Sequence, residues 1–194
     1  MISRSLTILE SLTARQAAAR LLGCHLIRTL DGQRLMGRII ETEAYSQDDP
    51  ASHSYRGQTE RNRVMFGRAG TAYVYFTYGM HYCLNVVVGG QGNGSAVLIR
   101  AVEPLTGLEQ MSEIRNHKTK KDLCNGPAKL CQAFSIDLSF NGHDLTLPPL
   151  QLVLSDALPK TAISWTPRIG IRQATDRHWR AVVTSSPYLS SPSS

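Results

Sequence analysis

Residues 24–45 read CHLIRTLDGQRLMGRIIETEAY, and this stretch decides the fold. Two runs, 24–29 and 34–43, are strand-like. Asp31-Gly32 between them readily takes the positive backbone angles of a two-residue hairpin turn. Just upstream, Ala14, Ala17, Ala18, Leu21 and Leu22 recur at helical spacing. Thr13 can cap the start of that helix, and Gly23 suits the left-handed residue past its end. A short helix therefore leads into an antiparallel pair, with Glu43 near a strand end.

Working outward, residues 71–77 are aromatic and β-branched and 81–88 are strand-like again, which predicts a second hairpin with Tyr78 at its tip. The run GGQGNG at 89–94 is a turn-rich connection to a strand at 96–102; it is no phosphate loop, because it precedes a strand and lacks Gly-Lys-Ser/Thr. Residues 105–115 and 127–134 look helical, the second with Asn125 as a cap and Pro127 in its first turn. Further strands are expected at 150–154, 168–171 and 181–184. The polar stretch 48–70 reads as an ordered loop that carries function. The Ser- and Pro-rich tail from about residue 188 reads as mobile. With no internal repeat and no long linker, residues 1–194 are expected to form one domain.

Composition supports an ordinary globular chain: 194 residues, 42% hydrophobic and 19% charged, enough to bury roughly 70% of the unfolded surface. No apolar run nears the ~18 residues of a membrane span, and the first residues lack a secretory signal, so the expected place is the cytoplasm or the nucleoid. Cys24, Cys83, Cys124 and Cys131 form no CxxC pair and are expected to be reduced core residues; neither they nor the six histidines have zinc-ligand spacing.

The formal charge is +6. Its basic residues gather in three segments: Arg56, Arg61, Arg63 and Arg68; Arg115, Lys118, Lys120 and Lys121; Arg168, Arg172, Arg177 and Arg180. These are either three solvated surfaces or three contacts along a phosphate backbone.

Glu41 and Glu43 share a strand face by the period-two rule, and only Glu43, at the strand end, can readily meet a cleft. Alone, two such carboxylates more often form a solvated face. The company shifts the balance: Tyr45 follows directly, His53 lies in the nearby loop, and Tyr73 and Tyr75 share a face of the next hairpin. Tyr78 at the turn either packs on a neighbouring loop or wedges into a base stack. The first 117 residues contain no lysine, so a carboxylate-activated water is simpler here than a Schiff base.

Six ordered motifs then carry a resemblance. They are Gly37 through Tyr45, Ala51-Ser52-His53-Ser54, Arg61-Asn62-Arg63 with Met65-Phe66, the hairpin from Tyr73 to Asn85, Val97 through Pro104, and Asn125 through Leu130. Together they resemble the alkyladenine DNA glycosylase family, the methylpurine or 3-methyladenine glycosylases of the human-enzyme type, over nearly the whole chain. Glu60 stands where that family often has proline.

The resemblance implies an α+β fold: one mixed domain with a curved antiparallel sheet, flanking helices and a protruding hairpin that enters the minor groove, like the C-terminal domain of methionyl-tRNA formyltransferase. It implies that Glu43 is a general base acting on a water held also by Arg100 and the backbone carbonyl of Ile169. Tyr45, His53 and Tyr75 would enclose a flipped purine, Asn85 would crowd the amino group of guanine, Leu98 would line the pocket, and Tyr78 would fill the gap in the duplex. Thr59, Arg61, Met65, Met80, Gly126 and Lys129 would hold DNA backbone or flanking bases. The implied partner is double-stranded DNA with damaged purines; no cofactor, metal or membrane is expected, and the protein is expected to be a monomer. Two other readings compete. A non-catalytic nucleic-acid-binding module would not require the Glu43, Tyr45, His53 and Arg100 constellation, and a metal-dependent phosphoesterase built on Glu41, Glu43 and His53 would lose activity to a chelator.

Overall fold

The first hairpin forms where the sequence puts it. In the computed structural model, which describes residues 5–77 and 79–191, β1 (His25–Leu30) pairs with β2 (Gln33–Tyr45) around Asp31 (φ 49°) and Gly32 (φ 77°). Helix α1 (Ala14–Leu21) precedes them. Its capping box is reciprocal: Thr13 Oγ1 accepts from the Gln16 amide, and Gln16 Oε1 accepts from the Thr13 amide. Ala14, Ala17, Ala18 and Leu21 are its buried face.

The remaining elements are β3 (Ala72–Thr77), β4 (His81–Val88), β5 (Ser95–Thr106), α2 (Leu108–Ile114), α3 (Pro127–Ala133), β6 (Leu150–Val153), β7 (Ile163–Thr166) and β8 (Arg180–Val183). The strands make one eight-stranded antiparallel sheet in the order β3-β4-β5-β2-β1-β6, with β8 paired to both β2 and β7. The α+β expectation holds at this level. Along one edge of β2, β1 covers its first half and β8 takes over at Glu41 to Glu43.

Period-two alternation divides the side chains of four strands between two faces. Val74, Leu84, Val86, Val88, Val97, Ile99 and Ala44 join the main apolar core, which also holds the buried faces of α1 and α3. On the other face lie Tyr73, Tyr75, Asn85, Leu98 and Glu43. The alternation changes phase where β2 meets β5. Glu41 pairs with Ala101 but Thr42 pairs with Ile99, leaving Arg100 as an extra residue; Ile40 is likewise extra between Ile39 and Glu41. Such bulges re-aim side chains and sharpen the local twist.

Several expectations change. β5 runs to Thr106 because residues 102–106 keep pairing with β2, so the following helix starts only after the left-handed Gly107. Asn125 does not cap α3: Gly126 holds that position, while the Asn125 side chain bonds Asp122 and Lys129. Residues 168–171 are not a strand, and β7 lies just before them. In the segment 188–191, Ser190 and Ser191 bond Glu41 and Arg180. All four cysteines are free and buried, as expected. Among the described residues no helix is long and apolar enough to cross a membrane.

Candidate active site

Register aligns the site. Tyr73 on β3 faces Asn85 on β4, Asn85 faces Leu98 on β5, Leu98 faces Glu43 on β2, and Glu43 faces Arg180 on β8. The first four of these five, with Tyr45, His53, Tyr75 and Arg100, line a cavity of about 560 Å³. Its rim is completed by Ala51 and Ser52, by Pro127 from the first turn of α3, and by residues 169–173.

At the base of the cavity Glu43 is wholly buried and held from three sides. Its Oε1 accepts the Ile169 amide at 2.8 Å and lies 3.2 Å from Arg100 Nη1; its Oε2 accepts the Tyr45 hydroxyl at 2.7 Å. The contact made by Ile169 is thus through its N–H. Glu41, on the same face as expected, points away from the cavity to Arg100 Nε (2.9 Å) and Arg180 Nε (2.8 Å). The cluster is two guanidinium groups against two carboxylates. Burial tends to lower the pKa of Arg100, but Glu43 and Glu41 together hold it above its ordinary value. Burial pushes the Tyr45 hydroxyl pKa up, reinforced by Glu43, so Tyr45 remains a donor to the carboxylate.

The aromatic wall is built by the hairpin and the loop after β2. His53 packs edge-on to Tyr75, with ring centroids 4.6 Å apart, and its Nδ1 lies 3.0 Å from the Tyr73 hydroxyl. The imidazole is exposed on its outer side, yet packing on its inner side lowers its pKa, as does the charge of Arg61. Burial pushes Tyr73 up to about 12 against a small opposing pull from Arg61, and burial likewise raises Tyr75. The loop itself is held by Asn62, whose amide donates to the His53 carbonyl (2.8 Å), and by Ser54, whose hydroxyl donates to the Gly94 carbonyl (2.6 Å).

Arg168 explains the irregular 167–174 segment. Its Nη1 and Nη2 bond the two oxygens of Asp49, Nη1 also bonds the Ala44 carbonyl at 2.9 Å, and the guanidinium lies 4.7 Å from the Tyr45 ring centroid. The next amide is given to Glu43, and Gly170 turns the chain at φ 76°. Sequence reasoning missed Cys83 and residues 170–173 in the cavity lining, and Asp49 as the partner of Arg168; Pro167 and Gly170 were the available signals that 168–171 is not a strand.

The other expected residues are scattered. Met65 is buried with Tyr73, Val87 and Ala96 in a small apolar cluster, and it lines the cavity. Thr59 and Arg61 are exposed, and the Thr59 amide donates to Asn62 Oδ1 at 2.6 Å. Met80 is 71% exposed beside the hairpin turn. Gly126 is buried at the start of α3, and Lys129 Nζ donates to Asn125 at 2.8 Å. Tyr78 lies outside the described residues. Of the third basic segment, Arg168 and Arg180 are buried in ion pairs and cannot reach phosphates; Arg172 is exposed at the cavity rim.

The family model described as methylpurine-DNA glycosylase (MPG) matches residues 8–187. A relative from Carboxydothermus hydrogenoformans is 49% identical over 174 residues, 89% of this chain and 91% of its own. One from Francisella tularensis subsp. tularensis is 46% identical over 177 residues, 90% and 92% of the two chains, and one from Rhizobium etli is 51% identical over 175 residues, 90% and 83%. All three are named "Putative 3-methyladenine DNA glycosylase".

Proposed function

Since the chain belongs to the methylpurine-DNA glycosylase family, whose members are hydrolases of N-glycosyl bonds, we propose that it flips alkylated or deaminated purines out of duplex DNA and hydrolyses them off, leaving an abasic site for base excision repair. One observation carries this reading: a wholly buried carboxylate, Glu43, stands at the base of a cavity walled by Tyr45, His53 and Tyr75.

In this reading the flipped purine lies among those three rings. Tyrosine faces attract a cationic alkylpurine by roughly 0.5–2 kcal/mol, and His53, with its lowered pKa, is uncharged at neutral pH and does not repel it. As the C1′–N9 bond breaks, its electron pair leaves with the purine and the sugar becomes oxocarbenium-like. Water then bonds to C1′ and gives one proton to Glu43. Glu43 Oε1 already accepts the Ile169 amide and faces Arg100 Nη1, whereas Oε2 accepts only the Tyr45 hydroxyl and keeps a lone pair for that role. A purine alkylated at N3 or N7 departs neutral, whereas a neutral lesion takes up a proton from solvent before it departs. Arg100 and the carbonyl of Ile169 hold the water, Asn85 excludes guanine by crowding its amino group, and Leu98 closes the pocket.

The hairpin enters the minor groove, with Tyr78 in the vacated place and Met80 beside it. Thr59, Arg61, Gly126, Lys129 and Arg172 hold backbone or flanking bases. The enzyme works as a monomer, without metal or cofactor. The test is single-turnover incubation of excess protein with duplexes carrying hypoxanthine or ethenoadenine, in EDTA, then alkali. Free base and breaks that need alkali are expected; tight binding without release, or strand cleavage before alkali, would contradict the reading.

A further inference from the structure

Glu41 is as deeply buried as Glu43 but stays out of the cavity. It accepts four hydrogen bonds: Arg100 Nε (2.9 Å), Arg180 Nε (2.8 Å) and Ser190 Oγ (2.6 Å) on Oε1, and the Ser190 amide (2.7 Å) on Oε2. These donors come from β5, β8 and the segment after β8. Burial alone would raise its pKa, yet the bonds from Arg180 and Ser190 and the charge of Arg100 keep it below the usual carboxylate range, so it stays ionised.

Arg100 is thereby held at two nitrogens. Nε is bound by Glu41, and Nη2 donates to Ser190 Oγ at 3.3 Å, the same hydroxyl that donates to Glu41. Only Nη1 is directed to Glu43, at 3.2 Å. A free guanidinium beside a carboxylate prefers the two-pronged fork. That fork would occupy both Glu43 oxygens, the ones that must accept the water proton. Buried ion pairs also contribute little net stability against an apolar alternative, so stability alone does not account for four charged groups here.

We propose that Glu41 and Ser190 are positioning residues that hold Arg100 end-on to Glu43, keeping the general base free, and that the segment around Ser190 is a working part of the active site. The inference rests on the glycosylase reading given above and adds to it a role for two residues outside the cavity.

The experiment measures single-turnover excision, affinity for damaged duplex and melting temperature for wild type, Glu41→Gln, Ser190→Ala, Ser190→Thr and Glu43→Gln. Glu41→Gln should excise about 100-fold more slowly, the size of a misplaced catalytic group, with affinity within about twofold of wild type. Ser190→Ala should lose about tenfold and Ser190→Thr, which keeps the hydroxyl, should recover the rate. Wild-type rates in Glu41→Gln and Ser190→Ala, or parallel losses of rate, affinity and melting temperature, would overturn the inference. If Glu41→Gln fails to fold, the two Ser190 variants decide alone. Excision by wild type but not by Glu43→Gln keeps the glycosylase reading whatever the Glu41 result; no release by wild type removes both.

Discussion

Arg100 and Arg168 are both buried and both face carboxylates, but they are used in opposite ways. Arg168 closes its fork on one partner, Asp49, takes the Ala44 carbonyl besides, and lies against the rings of Tyr45 and Trp179. None of its polar atoms is directed at the cavity. Arg100 is divided among Glu41, Ser190 and Glu43, and one of its nitrogens meets the carboxylate at the base of the cavity. A closed ion pair fixes loops; a shared one leaves charge available to a reacting group. The scaffold role of Arg168 still reaches the chemistry, because it sets the neighbouring Ile169 amide on Glu43.

The sharpest way to break this contrast is to remove each charge. Arg100→Gln should cut single-turnover excision by about 10²–10³-fold, the worth of a preorganised charge donor, while damaged-duplex affinity changes little. Asp49→Ala leaves Arg168 buried and unpaired, and should instead lower stability by about 3–5 kcal/mol, or roughly 6–20 °C in a chain of this size by thermal melting. An Asp49→Ala protein that melts like wild type would show that Arg168 is no scaffold.

A smaller effect separates the two regions by pH. Because Glu41 has a depressed native pKa, its contribution to stability is complete above the unfolded carboxylate value of about 4.3 and is lost as pH falls through the native value. Melting temperature should therefore drop more steeply below about pH 4 in wild type than in Glu41→Gln; identical acid limbs would contradict the ionised, hydrogen-bonded Glu41. The smallest effect belongs to Arg172 at the rim. Arg172→Gln should lower the slope of log affinity against log salt by about 0.9, one phosphate contact, and an unchanged slope would remove Arg172 from the interface.

The hairpin at 24–45 was legible because its signals are local: a turn dipeptide between two strand-like runs. Glu43, Tyr45 and Tyr75 could be singled out because strand alternation aligns carboxylates and rings, and His53 because its loop follows directly; their grouping around one purine came from the family resemblance. What joined them was not legible. The row from Tyr73 to Arg180 depends on register across five strands, and extra residues at Ile40 and Arg100 shift phase in a way no period-two count reveals. Arg168 meets Asp49 across 119 residues of chain, and the alternation of Ile169-Gly170-Ile171 imitates a strand, although the Ile169 amide is given to Glu43 and Gly170 turns the chain. Ser190 sits in a segment whose composition suggests mobility, until Glu41, 149 residues away, holds it.

In the proposed reaction Glu43 does the chemistry while the aromatic wall does the binding. The most direct measurement is single-turnover base release by Glu43→Gln, paired with its affinity for the same damaged duplex. Release reduced by about 10²–10⁴-fold with affinity retained is the expected result for the loss of a general base. Release at the wild-type rate would contradict the account.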